Sequence, residues 1–219
     1  METEIKLLFK DSQTLLGITG ADWFSDYCLD TSPKKAIELK NTYYDTPDKK
    51  LVKRGAMVRV RHYDIDEDEC YEHTVKFGGG VSQGLHQRYE WNVMTDKKYF
   101  KIADFKSNTE NSDDPDELLD EALEGISDDE LEPICSTEFE RTIYTFGYGD
   151  SIMEACFDVG MIRSGDKAEE ICELELELTS GDVVDLKDMG DFIIEQTGCK
   201  PFNDSKFSRA LRLAESGDN

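Results

Sequence analysis

Seven segments of this chain alternate with the period of an extended strand, and one parity of them is enriched in Arg and Glu rather than in mixed polar residues. They are 2–9, 56–63, 71–77, 86–93, 136–146, 151–159 and 171–179. Residues two apart share one face of a strand. Glu2, Glu4 and Lys6 therefore line one face. So do Arg59 and Arg61, Arg88 and Glu90, and Glu173, Glu175 and Glu177. Ile5, Val58, Val60, Tyr89, Leu174 and Leu176 take the opposite face. On a single strand such a charged face is ordinary solvent surface. Repeated across many strands, it concentrates the residue types that bind phosphate oxygens and hard divalent cations. Many short antiparallel strands favour a closed barrel or a strongly curved sheet. If the charged faces point inward, the interior needs compensation, because unpaired buried charge is very costly. Intermixed Arg, Lys and Glu supply part of it, and a polyphosphate with magnesium would supply the rest.

Turn chemistry separates these segments at Gly78-Gly79-Gly80 and at Gly147-Tyr148-Gly149-Asp150. Helices are predicted near 11–27, over 187–197 with Gly198 as the stop, and from Ser205 to the end. The 219 residues suit a single domain over 1–219, and 38% hydrophobic content is enough for a core. Twenty-five basic against 49 acidic side chains give a net charge of −24. That field argues against a bulk nucleic-acid or anionic-membrane binder, while leaving room for cations gathered in one shielded place. Half of the excess acid lies in 104–133, where thirteen acidic residues face one lysine, Lys106. This stretch reads as a solvated acidic connector with a short amphipathic helix around Glu117–Leu123.

No apolar run approaches the ~18 residues of a membrane span. The Met1-Glu2-Thr3-Glu4 start lacks the basic and apolar regions of a signal peptide, so a cytoplasmic protein is expected. The six cysteines, at 28, 70, 135, 156, 172 and 199, form no Cys-x-x-Cys pair and read as reduced, mostly buried thiols. Gly79 and Gly84 have the glycine spacing of a P-loop, but Leu85-His86 follow them. Asp64, Asp66 and Asp68 begin like a calcium loop, but Glu69 stands where glycine is needed, and a hairpin tip is the better reading. His62, His73 and His86 have no metal-helix spacing.

The motifs in order are Glu2-x-Glu4-x-Lys6, Tyr43-Tyr44-Asp45-Thr46-Pro47, Val58-Arg59-Val60-Arg61, Thr74-Val75-Lys76, Phe139-Glu140-Arg141, Cys156-Phe157-Asp158, Glu173-Leu174-Glu175-Leu176-Glu177 and Ser205-Lys206. This series resembles the CYTH superfamily, also called triphosphate tunnel metalloenzymes, across almost the whole chain. Gly84-Leu85-His86-Gln87-Arg88-x-Glu90-x-Asn92 looks closest to the bacterial inorganic triphosphatases of that superfamily. Those often carry a C-terminal CHAD domain, and none is expected in these 219 residues.

The resemblance implies a mostly β, α+β fold: an eight-stranded antiparallel closed tunnel with flanking helices. It implies hydrolysis of inorganic triphosphate with Mg²⁺ or Mn²⁺, two ions being expected. Lys6, Arg59, Arg61, Lys76, Arg88, Arg141 and Lys206 would hold phosphate oxygens, and Glu2, Glu4, Asp158, Glu173 and Glu175 would hold metal. Tyr43 with Lys76 is similar to a lysine–tyrosine pair implicated in catalysis in a related thiamine triphosphatase. The partner expected is a small-molecule triphosphate, with no nucleic acid and no membrane, and the protein a monomer or homodimer. Neutralising Glu173 or Glu175 is expected to relieve carboxylate repulsion and raise stability. The alternatives are a class IV-type adenylate cyclase, a thiamine triphosphatase and a non-catalytic polyphosphate-binding module. The inward positions assigned from sequence hold Arg, Lys and Glu, and Trp91 falls on the apolar parity, so a nucleoside has no evident reader and free tripolyphosphate is the expected substrate.

Overall fold

A computed structural model describes residues 1–30, 32–65, 68–109 and 114–215. Eight long strands form the frame: β1 Glu2–Leu8, β2 Lys35–Asp45, β3 Ala56–Ile65, β4 Asp68–Ser82, β5 Leu85–Thr95, β6 Glu132–Tyr148, β7 Ser151–Ser164 and β8 Lys167–Ser180. They run antiparallel in the order β5-β4-β3-β2-β6-β7-β8-β1, and β1 pairs back onto β5, closing the barrel. A two-residue strand, β9 (Lys200–Pro201), adds to the end of β1. Among the described residues, closure leaves no long edge unpaired. The helices are α1 Ser12–Gly17, α2 Phe24–Tyr27, α3 Lys50–Arg54, α4 Ile102–Asn108, α5 Asp116–Leu123, α6 Val183–Thr197 and α7 Lys206–Glu215.

The apolar parity of the strands faces outward, onto helices. Leu7, Leu174 and Leu176 pack against Leu186, Met189 and Ile193 of α6. Val58, Val75 and Trp91 pack against Leu51 of α3, Phe105 of α4 and Leu119, Ala122 and Leu123 of α5. The acidic 104–133 stretch therefore contributes apolar side chains to the core. It is also tied to α3: Arg54 donates to the carbonyls of Glu121, Ala122 and Glu124 at 2.7–3.2 Å, and Lys50 meets Glu130 at 2.9 Å. Asn111, Ser112 and Asp113 of that stretch, and Asp66, on which the hairpin-tip reading falls, lie outside the described residues.

Several local expectations change. The region 11–27 is not one helix. It is α1, a 3-10 turn at Ile18–Gly20, and α2, broken where Gly17, Thr19 and Gly20 weaken helix propensity. The last helix before Gly198 starts at Val183, because Asp182 caps it by accepting from the Val184 amide. Gly78 and Gly79 do not make the turn. They sit inside β4 at a bulge with φ of 63° and 82°, and a Cβ on Gly79 would lie 1.8 Å from the Gln87 carbonyl oxygen. The turn is the two-residue Gln83-Gly84 loop, with φ of 52° and 81°, the sign pattern that matches the twist of a hairpin. Strand β2 is absent from the alternation of charged faces because its parity is inverted. Ile37, Leu39, Asn41 and Tyr43 point into the barrel, while exposed Glu38 and Lys40 point out. No helix among the described residues is long and apolar enough to cross a membrane.

Candidate active site

The inward parity of the eight strands encloses a cavity of about 330 Å³. Helix α7 packs against β6, β7 and β8, and it brings Lys206 and Phe207 into the cavity wall. Ser205 precedes it and accepts the Ser208 amide at 3.1 Å, as an N-cap does.

One wall comes from β6, β7, β8 and β1. Register sets Arg141, Asp158 and Glu173 in one row, and Cys156, Glu175 and Lys6 in the next. Arg141 grips Asp158 with two parallel bonds of 2.7 and 2.6 Å and also donates to Glu175. The Lys206 ammonium reaches Asp158 at 2.7 Å and Glu175 at 2.9 Å, and it touches Glu173 as well. Lys6 bridges Glu175 and Glu4, the latter at 2.9 Å. Arg209, one turn beyond Lys206 on α7, binds Glu169 at 2.6 Å and Glu173 at 3.3 Å. Burial alone would raise Glu175, but Lys206, Lys6 and Arg141 hold it well below the usual carboxylate range. Burial alone would lower Lys6, but Glu175, Glu4 and Glu173 raise it well above the usual ammonium value.

The facing wall comes from β2, β3, β4 and β5. Arg59 donates to Glu72 at 3.0 Å and to Thr74 at 2.8 Å. Arg61 donates to Asn41 at 2.8 Å and approaches Glu72 at 3.4 Å. Burial and the neighbouring Arg59 push the Arg61 guanidinium below its ordinary value. The Nε of Arg59 is buried with no hydrogen-bond partner among the described residues. Lys76 lies between Glu2 at 2.5 Å and Glu90 at 2.7 Å. Burial, Glu4 and Glu90 push the Glu2 carboxyl up to about 8 against the pull of Lys76. Burial would raise Glu90 too, but Lys76 and the hydrogen bond from Glu2 hold it low. Arg88 stands opposite Glu2 in register and lines the cavity.

The sequence-assigned cations Lys6, Arg59, Arg61, Lys76, Arg88, Arg141 and Lys206 all line this one cavity, as do Glu2, Glu4, Glu175 and Tyr43. Asp158 and Glu173 lie beneath its surface at 0% exposure. Tyr43 and Lys76 have different partners: the Tyr43 ring stacks on Phe207 at 5.1 Å, while Lys76 is held by Glu2 and Glu90. Asp158, Glu173 and Glu175 each offer an oxygen within 4.8 Å of the others, a grouping able to hold a cation. In this structure the Lys206 ammonium contacts all three.

Glu72 and Arg209 were not singled out from the sequence. Each had a signal: Glu72 shares strand parity with Thr74 and Lys76, and Arg209 lies three residues from Lys206, on the same helix face. The cavity is also less uniformly charged than the strand parity suggested. Ile37, Leu39, Tyr63 and Ile143 line it too, and Lys35 stands 5.1 Å over the Tyr63 ring. All six cysteines are free thiols, five of them buried.

A closed antiparallel barrel with a cation- and carboxylate-lined interior defines a class, and the chain belongs to it: the CYTH domain family matches residues 1–210. Over 151 residues, 68% of this chain, it is 35% identical to the inorganic triphosphatase of Haemophilus influenzae, of whose length it spans 38%. The fold recurs in HpAC1 of Hippeastrum, an adenylyl cyclase candidate described as having a dominant triphosphatase activity. The two structures align with a TM-score of 0.65 at 19% identity, over 97% of this chain and 96% of that one. It recurs again in a candidate adenylate cyclase of Bacillus halodurans, with a TM-score of 0.57 at 18% identity, over 95% and 96% of the two chains.

Proposed function

We propose that this chain is a metal-dependent triphosphatase that hydrolyses inorganic tripolyphosphate to pyrophosphate and phosphate inside the barrel. The observation that carries this reading is the gathering of eight cations, the seven named from the sequence and Lys35, in one cavity of a chain with net charge −24. The unpartnered Nε of buried Arg59 supports it, because a donor in that position invites an oxyanion. The 35% identity to the Haemophilus inorganic triphosphatase supports it further.

In this reading Arg59, Arg61, Lys76 and Arg88 receive the phosphate chain from one wall, and Lys6, Arg141 and Lys206 from the other. Forked guanidiniums match phosphate oxygens, and phosphoryl transfer needs mainly positioning and charge neutralisation. Lys76 would donate to a phosphate oxygen, with Tyr43 closing the cradle beside Arg59 and Phe207.

The carboxylates fit a hard divalent ion, Mg²⁺ or Mn²⁺, since all are oxygen donors. They do not fit equally. Asp158, Glu173 and Glu175 are already neutralised by Arg141, Lys206, Lys6 and Arg209. Glu2, Glu4, Glu90 and Glu177 share Lys76 and Lys6 between them, and Glu2 and Glu177 are held above the usual carboxylate range, first by burial and then by neighbouring carboxylates. In this reading Glu2 and Glu4 would hold the metal, with Glu177 opposite Glu4 across the β1–β8 register. When bound, it would clamp phosphate oxygens and activate a water. The same reading takes residues 1–219 as a single domain acting in the cytoplasm, as a monomer or homodimer.

The apolar strip Ile37, Leu39, Tyr63 and Ile143 favours a second reading, in which the cavity takes an organic triphosphate whose ring rests on Tyr63. Product analysis separates the two. The purified protein is incubated with tripolyphosphate or ATP and Mg²⁺, and the products are resolved by anion exchange. Tripolyphosphate is expected to show the higher kcat/KM, and slow ATP turnover to give ADP and phosphate. Faster ATP turnover would favour the organic substrate, and cyclic AMP as the main product would overturn the hydrolase.

A further inference from the structure

We propose that Asp114, in the acidic stretch that no motif assigns, is a positioning residue for the cavity: it continues the β1–β5 seam and thereby fixes Glu2 and Glu90 around Lys76. The proposal rests on the reading of the cavity as a triphosphate site. That seam closes the barrel and is its shortest, with four register pairs from Glu2↔Arg88 to Ile5↔Leu85. Beyond Arg88 the β1 strand has ended, so on that side of β5 the Glu90 amide has no β1 residue opposite it. Asp114 takes that place. Its Oδ2 accepts the Glu90 amide at 2.8 Å, its Oδ1 accepts the amino group of Met1 at 2.6 Å, and its carbonyl oxygen accepts the Trp91 indole N–H at 3.4 Å.

Asp114 is 8% exposed, and Trp91 beside it is fully buried. A buried carboxylate that accepts a backbone amide and an ammonium is held by charge-assisted bonds. The residues it grips are the immediate neighbours of the chemistry. Glu90 is bonded through its own amide, and Glu2 follows Met1. Both carboxylates touch Lys76. A shift of either strand would move a carboxylate that holds the Lys76 ammonium, and placement errors of this kind degrade binding of metal and phosphate rather than the fold.

The test compares wild type with Asp114→Ala and Asp114→Asn, with Asp116→Ala as a control on the same segment. Steady-state kinetics with tripolyphosphate and Mg²⁺ are measured beside amide hydrogen exchange of peptides covering Glu90 and Trp91. In Asp114→Ala, KM and the Mg²⁺ concentration for half-activity should each rise about tenfold, the low end for loss of an outer-shell partner. Exchange at Glu90 should quicken. Asp114→Asn still accepts the Glu90 amide and should fall between. A merely structural role would lower kcat with the folded fraction and leave KM unchanged; that result, or unaltered exchange at Glu90, overturns the proposal. If wild type fails to turn over tripolyphosphate, the functional reading fails, and the exchange comparison with calorimetric binding of Mg²⁺ decides the role of Asp114 separately.

Discussion

Replacing Glu175 with Gln removes one negative charge from the most densely paired part of the barrel while nearly keeping its shape. Glu175 is 6% exposed and is contacted by Lys6, Arg141 and Lys206. The sequence alone suggested that such a change relieves carboxylate repulsion. The contacts reverse the sign: without Glu175, three buried cations face one another, with Glu4, Asp158 and Glu173 left to divide among them. Breaking a buried ionic network from one side costs roughly 3–5 kcal/mol. For a domain of this size about 2–4 °C is lost per kcal/mol, so the melting temperature should fall by roughly 6–20 °C. Differential scanning calorimetry of the apo protein in EDTA measures it. A second arm adds tripolyphosphate without metal. The anion restores the missing charge, so its stabilisation should be larger in Glu175→Gln than in wild type. A melting temperature equal to or above wild type in the apo state would refute the reasoning.

Arg59→Ala and Arg61→Ala should each lower kcat/KM for tripolyphosphate by about 100-fold or more, with the fold retained by circular dichroism, since losing one electrostatic donor costs about 2.7–4 kcal/mol; near-normal turnover would remove them from the phosphate cradle. Glu2 supplies a pH signature. Its folded pKa of about 8 lies above the ordinary value of 4.5, so the unfolded state releases its proton first, and the Glu2 contribution to stability falls as pH rises from near 4.5 to near 8. A metal needs the ionised form, so Mg²⁺ affinity by isothermal titration should rise through pH 8 with proton release, and Glu2→Gln should flatten that profile.

Much of this site was legible in the sequence because strand parity is a rigid rule. Glu2, Glu4, Lys6, Arg59, Arg61, Arg88 and Glu175 fall on one side by counting in twos, and the barrel brings those sides together. Parity could not show that β2 runs with its apolar side inward, so Ile37 and Leu39 went unseen as cavity lining. It could not show partners either. Asp158 and Glu173 carry the chemistry of metal ligands, yet the first turn of α7 delivers Lys206 onto both, a contact between residues far apart in the chain. The acidic stretch misled for the same reason: its charge was plain, while the packing of Leu119 and Leu123 on the barrel and the grip of Asp114 on Glu90 depend on tertiary structure.

Metal-dependent hydrolysis is read out by following phosphate release from tripolyphosphate by the purified chain in Mg²⁺, in EDTA, and in EDTA followed by excess Mg²⁺. Phosphate and pyrophosphate should appear in equal amounts in Mg²⁺, cease to form in EDTA, and form again when Mg²⁺ is restored. Absence of release in Mg²⁺, or release that persists undiminished in EDTA, would contradict metal-dependent hydrolysis.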